Sequence, residues 1–128
     1  MIKLLLVDDE KGLCDILKDF FKIYGLQALI ATNGKEAVAL VKKQKPQIVI
    51  LDIQMPDMSG LEVLKEIKQI DSSIKVIMIT VMDDEQTKNA ARQLGADEFI
   101  TKPIISDHLE EVVRQKITEL IGEDKTHA

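Results

Sequence analysis

Five groups able to handle a metal ion or a phosphoryl ion stand where apolar runs end. Leu4-Leu5-Leu6-Val7 stops at Asp8-Asp9, Ile48-Val49-Ile50-Leu51 at Asp52, Val76-Ile77-Met78-Ile79 at Thr80, and Phe99-Ile100-Thr101 at Lys102-Pro103. Mg²⁺ prefers oxygen ligands, keeps several waters and is usually held by one or two carboxylates plus phosphate oxygens of a substrate. Asp9 and Asp52 supply such carboxylates, with Asp8 acting through water. A carboxylate is also a nucleophile that forms an aspartyl phosphate. Lys102 and a divalent metal would then neutralise the transferring group, and the Thr80 hydroxyl would donate to one of its oxygens. Taken singly, Thr80 is an ordinary strand end and Lys102 a solvated lysine. Taken with the acids, they form a set with one purpose. Clustered unpaired carboxylates repel by about 1 kcal/mol in water and about 4 kcal/mol at an effective dielectric of 20, so a cation is the natural reason to keep them together.

These residues are far apart in sequence, and only the fold can gather them. Strand and helix patterns alternate along the whole chain, which predicts a parallel sheet covered on both faces. Ligands of such open α/β sheets sit outside the carboxyl ends of the strands, where all five groups lie. The runs ending at Asp8, Asp52 and Thr80 are continuously apolar, as buried central strands are. Ala28-Leu29-Ile30-Ala31 and Glu98-Phe99-Ile100 are weaker and read as edges.

The helical stretches have apolar stripes: Leu13, Ile16, Leu17, Phe20 and Phe21 in the first, and Leu109, Val112, Val113, Ile117, Leu120 and Ile121 in the last. At helical spacing each set should face the core. Asn33 with Glu36, and Ser59 with Glu62, match a capping-box start. The stretch 84–94 is less apolar, with Ala90, Ala91 and Leu94 to turn inward, and is expected to be the most loosely held helix.

Composition bounds the rest. The 128 residues, 45% of them hydrophobic, suit one domain, expected over residues 1–121, with 122–128 a frayed tail. Lys+Arg 17 against Asp+Glu 22 leaves a net charge of −5, which disfavours direct nucleic-acid binding and an anionic membrane surface. Cys14 is the only cysteine, so no intramolecular disulfide forms, and it reads as a small helical residue. No apolar run approaches the ~18 residues of a membrane span, and a cytoplasmic location is expected.

Asp8-Asp9, Asp52, Thr80 and Lys102-Pro103, joined by Met55-Pro56 and Gly60 after the central aspartate and Gly95-Ala96-Asp97 before the last strand, resemble the receiver domain of two-component response regulators. The likeness runs from Ile2 to about Ile121. It implies a flavodoxin-like doubly wound (βα)5 fold, a three-layer sandwich around a parallel sheet of order 2-1-3-4-5. It also implies that Asp52 accepts phosphate from a sensor histidine kinase or a histidine phosphotransfer protein. Asp9, Asp52 and the backbone carbonyl of Gln54 would bind Mg²⁺, with Mn²⁺ as a substitute, and Lys102 and Thr80 would contact the phosphoryl group. Lys102-Pro103 would be a cis peptide.

Thr80 and the aromatic Phe99 would report phosphorylation to a surface made by the fourth helix, fifth strand and fifth helix. That surface would meet a downstream protein or effector domain, or form a phosphorylation-dependent homodimer through Lys88, Arg92, Asp97 and Glu98. His108 and Val112 stand where the dimerising members have Glu and Arg. Val81 and Met82 occupy positions that are usually smaller or polar, which implies restricted access for water and a long-lived aspartyl phosphate. Two other classes share parts of the pattern. A haloacid-dehalogenase-like phosphatase would want an acid where Gln54 stands, and a flavodoxin-like FMN carrier would want a Ser/Thr/Gly loop in place of Asp8-Asp9-Glu10.

Overall fold

Branched aliphatic runs form the strands and the periodic stretches between them form helices. The computed structural model describes residues 2–81, 84–103 and 106–121, the side chains of Ser106, Leu120 and Ile121 excepted. The elements are β1 (Lys3–Val7), α1 (Lys11–Ile23), β2 (Gln27–Ala31), α2 (Gly34–Gln44), β3 (Ile48–Asp52), α3 (Gly60–Ile70), β4 (Lys75–Thr80), α4 (Glu85–Gln93), β5 (Glu98–Thr101) and α5 (Ser106–Ile121). The strands lie parallel in the order β2-β1-β3-β4-β5, the flavodoxin-like arrangement expected. Expectations for Met82, for the stripe positions Leu120 and Ile121, and for the tail 122–128 fall outside the described residues.

Register carries the functional groups to one rim. Val7 pairs with Leu51, Asp52 with Ile79, and Thr80 with Thr101, so Asp8, Asp52, Thr80 and Lys102 end adjacent strands at similar heights. Alternate side chains of a strand point to opposite faces. Leu5, Val7, Val49, Leu51, Val76 and Met78 pack with Ala37 and Val41 of α2, Val63, Leu64 and Ile67 of α3, and Ala91 of α4. Leu4, Leu6, Ile48, Ile50, Ile77 and Ile79 pack on the other face with Cys14 and Phe21 of α1 and Leu109, Val112 and Val113 of α5. β3 is buried at every residue, whereas β2 and β5 are buried only in part, as edge strands are.

Three local expectations need correction. Ile16 is 68% exposed, and Cys14 faces the core from α1 instead. At 100° per residue, Ile16 points about 200° away from Cys14, on the far side of the helix from the Cys14–Leu17–Phe21 line. Asn33 caps α2 by accepting from the Glu36 N–H at 2.8 Å, but the Glu36 carboxylate reaches back to the N–H of Thr32, not of Asn33. Ser59 accepts from the Leu61 N–H at 3.2 Å, one residue short of the position a capping box uses. On α4 only Ala91 is fully buried, with Ala90 and Leu94 half-buried.

Candidate functional site

The rim is built from strand ends whose backbones are pinned close to the chemistry. The Asp8 N–H donates to the carbonyl of Ala31 at 3.1 Å, and the Lys102 N–H to that of Thr80 at 2.8 Å. The Gly60 N–H donates to Ile53 at 2.8 Å, which brings the start of α3 against the backbone of the Asp52 strand. A Cβ on Gly60 would overlap the Asp52 carbonyl and lie 2.6 Å from the Ile53 Cα, so only glycine allows this approach. The Lys102–Pro103 peptide is cis.

Lys102 reaches back between two carboxylates. Its ammonium lies 3.0 Å from Asp8 Oδ2 and 3.0 Å from Asp52 Oδ2, with Glu10 Oε1 at 3.8 Å. The other oxygen of each acid is also engaged, Asp8 Oδ1 by the Glu10 N–H at 2.9 Å and Asp52 Oδ1 by the Gln54 N–H at 3.0 Å. Burial pushes the Asp52 carboxyl above its ordinary range, against the hydrogen bonds from Gln54 and Lys102 that favour its charge. Burial opposes the charge of Lys102 too, but Asp8 and Asp52 outweigh it and hold the ammonium above its ordinary value. Lys102, expected in the site from its place beside the acids, is thus their internal counter-ion.

Carboxylate oxygens of Asp8, Asp9 and Asp52 all lie within 4.8 Å of one another, the only such cluster among the described residues. Oxygens this close together can share one Mg²⁺, which is usually held by one or two carboxylates and keeps several waters. The donor set is all oxygen, which fits a hard cation. Asp8 and Asp52 are buried and Asp9 is exposed, leaving the cluster one open side.

Thr80 is fully buried beneath this rim, whereas Val81 beside it is 60% exposed. Gln54 is exposed on the loop after β3. Phe99 is half-buried on β5, two residues before the Thr80 partner Thr101, and the Lys88 ammonium of α4 lies 5.7 Å from its ring centre. Several site contacts escaped sequence reading: Glu10 beside Lys102, the Cys14 thiol on the Asp8 carbonyl at 3.5 Å, and Asp57 on the first turn of α2. Each joins different elements, so no local pattern announces it. Cys14 is sealed beneath the site, where burial pushes its thiol up to about 11.

At the start of β5, Asp97 pairs with Lys68 at 3.1 Å and Lys75 at 4.0 Å, and Glu98 pairs with the buried Lys116 at 3.4 Å. Val112 is a core residue and His108 is exposed.

Residues 4–114 match the model of the response regulator receiver domain. Sporulation initiation phosphotransferase F of Bacillus subtilis (strain 168) is 35% identical over 113 residues, covering 88% of this chain and 91% of that protein. A probable transcriptional regulator, ycf27 of Porphyridium aerugineum, is 34% identical, but the chain spans 46% of its length. Among solved structures, the CheY-like receiver domain protein of Methanospirillum hungatei JF-1 superposes with a TM-score of 0.90 at 28% identity, over 93% of this chain and 95% of that one. The response regulator TrrA of Thermotoga maritima, solved in complex with Mg²⁺–BeF, gives a TM-score of 0.82 at 34% identity, over 91% and 99%.

This chain therefore belongs to the response regulator receiver family and is a signalling domain of the two-component, phosphorylation-based kind. Among the described residues no helix is long and apolar enough to cross a membrane.

Proposed function

We propose that Asp52 accepts a phosphoryl group from the phosphohistidine of a sensor kinase or histidine phosphotransfer protein, in a reaction that requires Mg²⁺. An Asp52 carboxylate oxygen forms the new bond to phosphorus while the P–N bond to the donor imidazole breaks, leaving the imidazole to take up a proton. The single observation that carries this reading is the position of Asp52: a buried strand-end acid that shares Lys102 with Asp8 and lies within the three-carboxylate cluster. Mg²⁺ held by Asp9, Asp52 and the Gln54 carbonyl, with Asp8 through water, would supply charge neutralisation to the transferring group. Lys102 stabilises the phosphoryl oxygens from the opposite strand end, and the Thr80 hydroxyl donates to one of them. Mn²⁺ offers the same oxygen-loving chemistry.

The phosphorylated state is read through Thr80 and Phe99 by the surface of α4, β5 and α5, where a downstream protein or effector domain docks. Asp97 and Glu98 are already paired within the chain, which supports an output contact that does not depend on those acids across a dimer.

The test is intact-mass spectrometry after incubation with acetyl phosphate, with Mg²⁺ and with EDTA. One stoichiometric phosphoryl adduct that appears only with the metal is expected. Phosphate release with turnover and no adduct would favour a phosphatase instead.

A further inference from the structure

We propose that Asp57 is a positioning residue for the metal site, a strut that fixes the loop bearing the Gln54 carbonyl by docking it onto the N-terminus of α2. The inference rests on the phosphoryl-transfer reading above. Both Asp57 oxygens are used: Oδ1 accepts from the Gly34 N–H at 2.7 Å and Oδ2 from the Lys35 N–H at 3.0 Å. These are among the N–H groups that a helix start leaves unsatisfied, and here a carboxylate from another loop supplies the acceptors. The same two hydrogen bonds hold the Asp57 carboxyl below its ordinary range.

The docking surface is shaped for the loop. A Cβ on Gly34 would overlap the Met58 side chain, with Sδ at 2.6 Å, and would press on Val63 Cγ2 at 3.0 Å. Glycine there lets Met58 pack against α2 directly beside the Asp57 contact. Gln54 lies three residues before Asp57, and its own N–H is held by Asp52 Oδ1 at 3.0 Å. Between these two ties stands Met55-Pro56. Proline fixes its own φ and disfavours the helical region for the residue before it, so the link is stiff. At the far end the Gly60 N–H on Ile53 closes the loop back onto β3. A carbonyl held between such ties has little freedom to reorient, and releasing Asp57 frees one end of the strap. Partners that orient metal ligands commonly change affinity by 10–100-fold when removed.

The experiment is a Mg²⁺ titration followed by amide NMR shifts in wild type, Asp57→Ala, Asp57→Asn and, as a control on the metal reading, Asp9→Asn. Denaturant melts in EDTA run alongside. Expected are a Mg²⁺ dissociation constant raised about tenfold in Asp57→Ala, an intermediate value in Asp57→Asn, which keeps one acceptor, and altered Gln54 shifts in both. A merely structural role would lower the melts and leave the affinity of the folded protein unchanged, and that outcome overturns the strut. Asp57→Asn decides the matter if Asp57→Ala does not fold. Loss of Mg²⁺ binding in Asp9→Asn with wild-type affinity in both Asp57 variants would refute the strut alone, whereas no Mg²⁺ response in wild type would refute the metal reading with it.

Discussion

Lys102 is shared by Asp8 and Asp52, and that sharing decides which charges the site can lose at least cost. Asp9 completes the acid cluster from its exposed edge, while the ammonium reaches the other two acids and Glu10. Replacing Asp9 with Asn removes like-charge repulsion at a solvent-facing position, so the metal-free protein should gain a few tenths to about 1 kcal/mol. Mg²⁺ should then no longer stabilise it. Denaturant melts in EDTA and in excess Mg²⁺ check both halves, and an unchanged Mg²⁺ response would remove Asp9 from the ligand set. Lys102 has the opposite sign. Its folded pKa is raised above the ordinary lysine value of 10.5, so its stabilisation is complete below that value and is lost as pH rises through the higher folded one. Lys102→Met should cost about 1–3 kcal/mol at neutral pH by leaving two acids unpaired. It should also flatten the alkaline fall in stability, and parallel curves for wild type and variant would contradict the pairing.

Between elements, the issue is how a change at Asp52 reaches α4. Thr80 ends β4 fully buried, its neighbour Thr101 ends β5, and Phe99 meets Lys88 of α4 from the same short strand. Phosphate adds roughly −1.5 to −2 charge and strong acceptors that recruit a hydroxyl. Thr80→Ala should therefore still take phosphate from acetyl phosphate, yet show smaller changes in hydrogen exchange across α4 than wild type. An equal response in α4 would break the proposed coupling. Val81, 60% exposed next to Thr80, offers a branched side chain in place of a small one. If it narrows the in-line approach of water to Asp52, Val81→Ala should shorten the phosphoryl lifetime under saturating Mg²⁺. Equal lifetimes would assign Val81 to loop packing alone. The elements themselves were readable because the residues that define them are local: continuous aliphatic runs, strand-end acids, and stripes at helical spacing. Ile16 misled because five apolar residues in the first helix cover more than one face, and Cys14, small and apolar enough to be buried, sat on the inward line.

Across the whole molecule, the parallel sheet turns separate strand ends into one site, which is why the acids, Thr80 and Lys102 could be read together from the sequence. The register sets Asp52 beside Ile79 between two buried runs, and Thr80 beside Thr101 of the partly buried edge strand. Contacts joining loops to distant helices were not legible in the same way. Asp57 on Gly34 spans 23 residues, and Lys116 on Glu98 joins α5 to β5, with neither partner marked by its neighbours. Such links depend on how layers stack, which periodicity does not encode. On the proposed reading the whole arrangement has one chemical purpose, to make Asp52 the acceptor. Sodium borohydride reduces an aspartyl phosphate to homoserine, so treatment of the phosphorylated protein followed by peptide mapping reads the acceptor directly. Homoserine at position 52 and at no other aspartate, absent in Asp52→Asn, is the expected result; homoserine at Asp8, Asp9 or Asp57 in wild type, or full labelling of Asp52→Asn, would contradict it.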